Sequence, residues 1–170
     1  MGEWRKYNGA LIPKSPPHIP VNVVSISKLL KKEKAYFSRW VTDYDCKKKT
    51  EFWYVICDRN LEIEEYSINT RSKISRGLKK ISVKIISKDV ILEKGYDVYK
   101  SSFIRYKSFS KRLNKRSFLE FISNLDGVRE YWGAYLKDTD TLVAYSQNSI
   151  FDSCCDYDEI RFDPAYLKLY

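Results

Sequence analysis

Charge in this chain is sorted by sign, and the sorted stretches hold most of its capacity for chemistry. Between Arg71 and Lys84 lie six Lys/Arg and no acid, and between Arg105 and Arg116 another six and none. From Asp138 to Asp163, seven Asp/Glu stand against Arg161 alone. The molecule is therefore polarised, with a basic middle and an acidic end, inside a net charge of 31 − 22 = +9. The segment NTRSKISRGLKK (69–80) is the most distinctive. Thr70 can cap a short helix with Ile74, Leu78 and then Ile81 as its apolar positions, leaving Arg71, Lys73, Arg76, Lys79 and Lys80 on the other faces. Such a surface is either a solvated basic face or an anion site for a phosphate-bearing ligand or nucleic acid. Aromatics are not interleaved among these cations, as stacking on nucleobases would require.

Other reactive types are sparse. The single histidine, His18, stands between prolines in SPPHIP (15–20) with no nucleophile or carboxylate to pair with, so it reads as a loop residue rather than a base. Cys46, Cys57, Cys154 and Cys155 form no C-x-x-C pair, and no metal site is expected from that inventory. Cys57 reads as a small apolar residue in a strand, and Cys154-Cys155 as free thiols in a loop.

The elements that must position these groups follow from periodicity. With 44% hydrophobic and 15% aromatic residues over 170 positions, the chain is long enough and apolar enough to bury a core. Residues 1–24 read as an extended arm with a turn at Asn8-Gly9. An amphipathic helix of about 18 residues is expected from Ser25 or Ser27, carried by Ile26, Leu29, Phe37, Trp40 and Tyr44. EFWYVICD (51–58) reads as a buried strand, LEIEEYS (61–67) as a second, and ISVKIIS (81–87) as a third. A helix capped by Ser87 or Asp89 carries Leu92, Tyr96, Tyr99, Phe103 and Tyr106 on one stripe. A capping box, Ser117 to Glu120, opens another helix that ends at Asp126-Gly127. REYWGAYL (129–136), the turn KDTD (137–140), TLVAYSQNSIF (141–151) and YDEIRF (157–162) read as three successive antiparallel strands. Asp163-Pro164 is then a start signal for a further helix or turn. No apolar run approaches a membrane span, FWYVIC (52–57) being the longest, and no signal-peptide pattern opens the chain, so a cytoplasmic location is expected.

The ordered set TRSKISRGLKKISVKII, GYDVYKSSFIRY, YWGAYLKDTDTLVAYSQ and YDEIRFDPAYLKLY resembles the FemAB-like branch of the GNAT superfamily, in particular acyltransferase-like proteins associated with bacterial cell-surface polysaccharide biosynthesis. The likeness covers roughly residues 50–170. It implies an α+β fold with a mixed, largely antiparallel sheet flanked by helices. As domains, it implies an arm over 1–24 and one GNAT-like domain over 25–170, truncated at its C-terminal end, since no glycine-bearing pyrophosphate loop follows Phe162. The implied activity is transfer of an acyl or aminoacyl group, from acyl-CoA or an aminoacyl donor, to an amine on a small molecule or glycan. Glu159 and Asp156 are then the implied proton acceptors, Tyr145 a polar contact, and Arg71, Arg76 and Lys79 the anion contact. The seven acids are equally compatible with a solvated surface. An open edge on the last strand implies shielding by the arm or a homodimer. The rival reading is a non-catalytic basic module that binds nucleic acid or another anionic partner through 71–84 and 105–116.

Overall fold

The computed structural model describes residues 3–44, 46–49, 57–104, 112–151 and 154–169. The chain forms two compact units, Met1–Arg59 and Asn60–Tyr170.

In the first unit, residues expected as an arm fold back on themselves. Strands β1 (Trp4–Tyr7) and β2 (Ala10–Pro13) pair antiparallel. Asn8 (φ 47°) and Gly9 (φ 82°) make the turn, the left-handed pair that a two-residue hairpin requires. The expected long helix is short: α1 spans Ile26–Lys32. Lys34 adopts φ 48°, its N–H bonds the Lys31 carbonyl, and the Ala35 N–H reaches the Leu30 carbonyl at 3.0 Å. This is a Schellman ending made without glycine. Lys6 of β1 supplies the reason, since its ammonium donates to the Glu33 and Lys34 carbonyls, each at 2.8 Å. The freed chain then joins the sheet, with β3 (Phe37–Ser38) lying parallel to β2. Trp4 and Leu11 are buried here, and Trp4 meets Trp40 edge-on at 6.1 Å. His18 packs edge-on against Tyr44, ring centroids 5.9 Å apart. Of the expected strand 51–58, residues 51–56 lie outside the described residues. Cys57 is exposed and not in a strand.

The second unit opens on a 3₁₀ turn, Ile63–Glu65, where a strand was expected. The Glu65 carboxylate accepts the Glu62 N–H at 2.8 Å and closes the turn. Leu61, Ile63 and Tyr66, the apolar members of the alternation, are all exposed. Helix α2 (Ile68–Lys80) follows, capped by Ser67 rather than Thr70. The Ser67 hydroxyl accepts the Thr70 N–H, and a β-region ψ of 152° at Ser67 suits it to that place. The helix runs directly into β4 (Ile81–Ile86).

A continuous helical run comes next: α3 (Lys88–Val90), a π-helical turn (Ile91–Gly95) and α4 (Tyr96–Ser102). Gly95 is required inside it, because a Cβ there would lie 2.9 Å from Ile91 Cγ2 and 3.6 Å from Phe118 Cζ. Helix α5 (Lys115–Ser123) begins earlier than the Ser117 box predicts. Asn114 takes the cap, accepting the Ser117 N–H at 2.8 Å, while Glu120 turns to Arg116 at 3.0 Å.

Strands β5 (Val128–Leu136), β6 (Leu142–Phe151) and β7 (Cys154–Phe162) complete a four-stranded sheet of order β4-β5-β6-β7, antiparallel throughout. The last strand starts three residues before the expected YDEIRF, so Cys154 and Cys155 are strand residues, not loop thiols. Asp163 accepts the Ala165 N–H at 2.9 Å and Pro164 opens a 3₁₀ turn, Pro164–Leu169, as the Asp-Pro pair predicts. The α3–α5 layer covers one sheet face, and the core lies between them: Ile86, Ile91, Val98, Tyr99, Phe118, Ile122, Tyr131, Tyr135, Leu142 and Tyr145. On the opposite face Val83, Ile85, Trp132 and Ile160 are exposed. The α+β class with an antiparallel sheet flanked by helices is thus the observed one.

Candidate functional site

Burial selects the helix-facing side of β5–β7 as the place where polar chemistry is concentrated. Gln147 and Ser149 on β6 are only 4% and 5% exposed, in a surface otherwise made of Tyr131, Tyr135 and Tyr145. Polar groups sunk this deeply need partners. Strand β7 brings them through a register shift. Tyr145 pairs with Arg161 and Gln147 with Glu159, but Asn148 pairs with Tyr157, so Asp158 is the extra residue of a bulge. A bulge turns two consecutive side chains toward one face. Asp158 and Glu159 therefore both address the helix side.

Each acid is met by an arginine. Arg129 of β5 bonds the Asp158 carboxylate and the Ser149 hydroxyl, which also bonds Asp158. Arg161 bonds Glu159 within β7, lies over the Tyr99 and Phe103 rings at 5.0 and 5.1 Å, and reaches the Ser102 hydroxyl at 3.5 Å. Side-chain exposures of 11–15% in the first pair and 23–27% in the second make both partly desolvated ion pairs.

Several polar atoms of this surface find no hydrogen-bond partner among the described residues: the hydroxyls of Tyr131 and Tyr145, Gln147 Oε1 and Arg161 Nε. Burial pushes the Tyr145 phenol far above its ordinary pKa, and Glu159 adds to the shift while Arg161 opposes it. Tyr131 is raised chiefly by burial as well. Both phenols stay protonated at any physiological pH and act as donors, never as bases.

Of the residues singled out by the resemblance, Tyr145 and Glu159 are brought onto one face, one register step apart. Asp156 lies further along the strand, opposite Ser149. Tyr145 is 2% exposed, so it contacts the interior rather than an open cleft. Arg71, Arg76 and Lys79 sit on α2, where Arg76 and Lys79 are exposed and Arg71 is half-buried. None of the three forms an ion pair among the described residues. Helix α2 does pack against the Pro164–Leu169 turn, so these cations stand at the end of the sheet where β7 finishes. The second basic segment lies mainly outside the described residues, which exclude 105–111.

Sequence reasoning missed Asp158, Arg161, Arg129, Ser149 and Gln147. One signal was present. In CCDYDEIRF the charged residues fall at 156 and 158, then at 159 and 161, and that slip of one in the alternation marks the bulge. Among the described residues, no three His, Cys, Asp or Glu side chains gather to hold a metal ion, and no helix is long and apolar enough to cross a membrane.

No family model matches the chain, and no curated protein sequence matches it. Among solved structures, 52% of the chain is similar to the PaiA N-acetyltransferase of Thermoplasma acidophilum, solved in complex with coenzyme A, at 20% identity and a TM-score of 0.38. The chain spans 62% of that protein's length.

Proposed function

We propose that residues 60–170 form an acyltransferase sheet of the GNAT type, on the FemAB-like side, which takes an acyl or aminoacyl group from a thioester or ester donor and passes it to an amine. The amine of a small molecule or of a cell-surface glycan precursor is the acceptor class this reading favours. The observation that carries it is the ending of the sheet. Among the described residues strand β7 pairs with β6 alone; it is bulged at Asp158 and runs into an Asp163-capped turn beside a cationic helix. An edge strand offers its free N–H and C=O groups to an extended arm, as in strand addition. The pantetheine arm of acyl-CoA is such an arm, and Arg71, Arg76 and Lys79 would face its phosphates.

In this reading β7 positions the donor, and the helix-facing side supplies the proton inventory. Attack by an ammonium requires loss of a proton to a carboxylate, directly or through water. Glu159 and Asp156 are the candidates. Arg161 clamps Glu159 in place against Tyr99 and Phe103, and Arg129 neutralises Asp158. Tyr145, 2% exposed, stays behind this surface and shapes it rather than touching the substrate.

Titration calorimetry with acetyl-CoA, together with amide hydrogen exchange, tests the reading. The expected result is saturable binding that protects Tyr157–Phe162 and weakens in Arg76→Ala/Lys79→Ala. Absence of binding by both acyl-CoA and aminoacyl donors removes the donor assignment. If β7 instead pairs with a second copy, solution mass will double and the same amides will be protected without CoA. Retention of nucleic acid at low salt, lost steeply as salt rises, would favour the basic-module alternative.

A further inference from the structure

The face of the four-stranded sheet that points away from α3–α5 is apolar across its width. Ile85, Trp132, Ser146 and Ile160 stand in one register row over β4, β5, β6 and β7, and Val83, Ala134, Ala144 and Phe162 stand in the next. Val128 and Tyr157 extend the surface along β5 and β7. An antiparallel sheet with one face in water normally alternates apolar inward and polar outward. These strands do not: Ile86 and Tyr131 go to the core, while their neighbours Ile85 and Trp132 point out and are exposed. That is the pattern of strands covered on both sides, yet the exposure of Val83, Ile85, Trp132 and Ile160 shows that none of the described helices covers this one.

Size, charge and relief select what would cover it. Val83, Ile85, Val128, Trp132, Tyr157 and Ile160 together expose roughly 600 Å², the top of the range for the largest apolar patch on a soluble monomer. Two such faces in contact would bury about 1,200 Å², the lower end of what specific interfaces bury. On the strands, the described residues of this face carry a single charge, the Glu130 carboxylate, and it accepts the Trp132 indole N–H at 2.7 Å. A nucleic acid or an anionic lipid surface needs cations beside the apolar contact, and this face has none among those residues. The same lack of cations makes it the side on which two chains of net charge +9 repel one another least. Its relief holds both ridge and hollow, since the small Ala134, Ala144 and Ser146 lie between the larger Ile85, Trp132 and Ile160. A surface of that kind can take its own copy turned about a twofold axis.

We propose that this face is a self-association surface, on which a second copy of the chain lays the same face down, sheet against sheet. The proposal does not rest on the acyltransferase reading. It also differs from pairing at the β7 edge, because β4 lies at the opposite edge of the sheet and shares in the contact.

Sedimentation equilibrium of the full chain across the micromolar range, where interfaces of this size begin to hold, tests it. The mass should rise with concentration to twice that of the chain. Ile85→Lys on β4 and Ile160→Lys on β7 each place a charge in the contact and, by the twofold, bring like charges into it. Either should weaken the association about a hundredfold or more. Ile85 and Ile160 are 59% and 49% exposed in the single chain, so both variants keep the fold. Far-ultraviolet dichroism checks that, and if one variant has lost its structure the other decides. A chain that stays monomeric across the range overturns the proposal and leaves the face to a different protein. A dimer whose dissociation constant is unchanged in Ile85→Lys overturns it as well, and assigns the contact to the β7 edge.

Discussion

Arg129 on β5 and Asp158 on β7 are bonded to one another across the strand that separates them, and Ser149 of that middle strand joins the same carboxylate. Three strands are thus tied at one point on the helix-facing side. The tie exists because Asp158 is the extra residue of the β7 bulge. Without the register shift, one of Asp158 and Glu159 would face the exposed side, and only one of the two arginines would have its acid.

Cutting that tie should be costly. Asp158→Asn leaves the Arg129 guanidinium, 11% exposed, without a counter-charge. Removing one partner of a buried pair costs about 3–5 kcal/mol, and the residual solvent access here places the loss near the lower figure. Urea unfolding measures it. The double variant Arg129→Leu/Asp158→Leu should lose less than Asp158→Asn, because no charge is then stranded. Equal or greater loss in the double variant would show that the pair itself, not the orphaned charge, carries the stability.

Tyr145→Phe should behave in the opposite sense. The hydroxyl it removes is buried and without a partner, so the variant is expected to gain about 1 kcal/mol at neutral pH. Alkaline pH gives a second readout. The folded state holds the Tyr145 proton more tightly than the unfolded chain, whose ordinary value is 10.0. Its contribution is therefore complete below pH 10, where both states keep the proton. Above that, the unfolded chain deprotonates first, and stability falls by about 1.4 kcal/mol per pH unit for such a group. Denaturation at about pH 8 and about pH 11 should show a shallower loss in Tyr145→Phe. A parallel loss in both proteins would mean that the phenol ionises normally in the fold.

The sheet and the helical layer of residues 60–170 were legible because their periods are clean and their ends are marked: ISVKII, the Tyr96–Tyr99–Phe103 stripe and the Asp163-Pro164 start all stand where the pattern puts them. What failed depended on contacts distant in sequence. The helix from Ser25 has apolar residues at helical spacing as far as Tyr44, yet it stops at Lys32 because Lys6, 28 residues before Lys34, takes the last carbonyls and β2 offers Tyr36 and Arg39 a ladder. LEIEEYS alternates as a strand should, but alternation makes no ladder without a neighbour. Glu159, Asp156 and Tyr145 came from a resemblance, while the arginines that organise them were visible only as a slip in the alternation of β7.

Gly133 is a position where backbone preference and packing pull in opposite directions. In a central strand, Ala is favoured over Gly by roughly 0.5–1 kcal/mol when space allows. Here a Cβ would stand 2.9 Å from Tyr135 Cε2, 3.0 Å from Ile86 Cδ1 and 3.1 Å from Leu142 Cδ1. The aliphatic tips can rotate away. The Tyr135 ring is less free, since it is 3% exposed and lies under the Lys84 ammonium at 4.2 Å. Overpacking should win, and Gly133→Ala is expected to destabilise by about 1–3 kcal/mol in urea unfolding. A neutral or stabilising result would show that the ring yields.

Two helix caps of similar chemistry should have unequal consequences. Asn114 accepts the Ser117 N–H and Ser67 accepts the Thr70 N–H, and replacing either by Ala costs its helix about 1 kcal/mol. Helix α5 carries Phe118 and Ile122, 1% and 0% exposed, so its first turn cannot loosen without disturbing the core. Helix α2 buries no residue at all. Its cap therefore governs a local equilibrium that global unfolding does not report. Asn114→Ala should lower the urea midpoint. Ser67→Ala should leave it in place while amide exchange quickens in the first turn of α2, around Arg71. If Ser67→Ala moved the midpoint as far as Asn114→Ala, α2 would have to be part of the cooperative core, and its cations would be fixed groups rather than side chains on a helix that opens by itself.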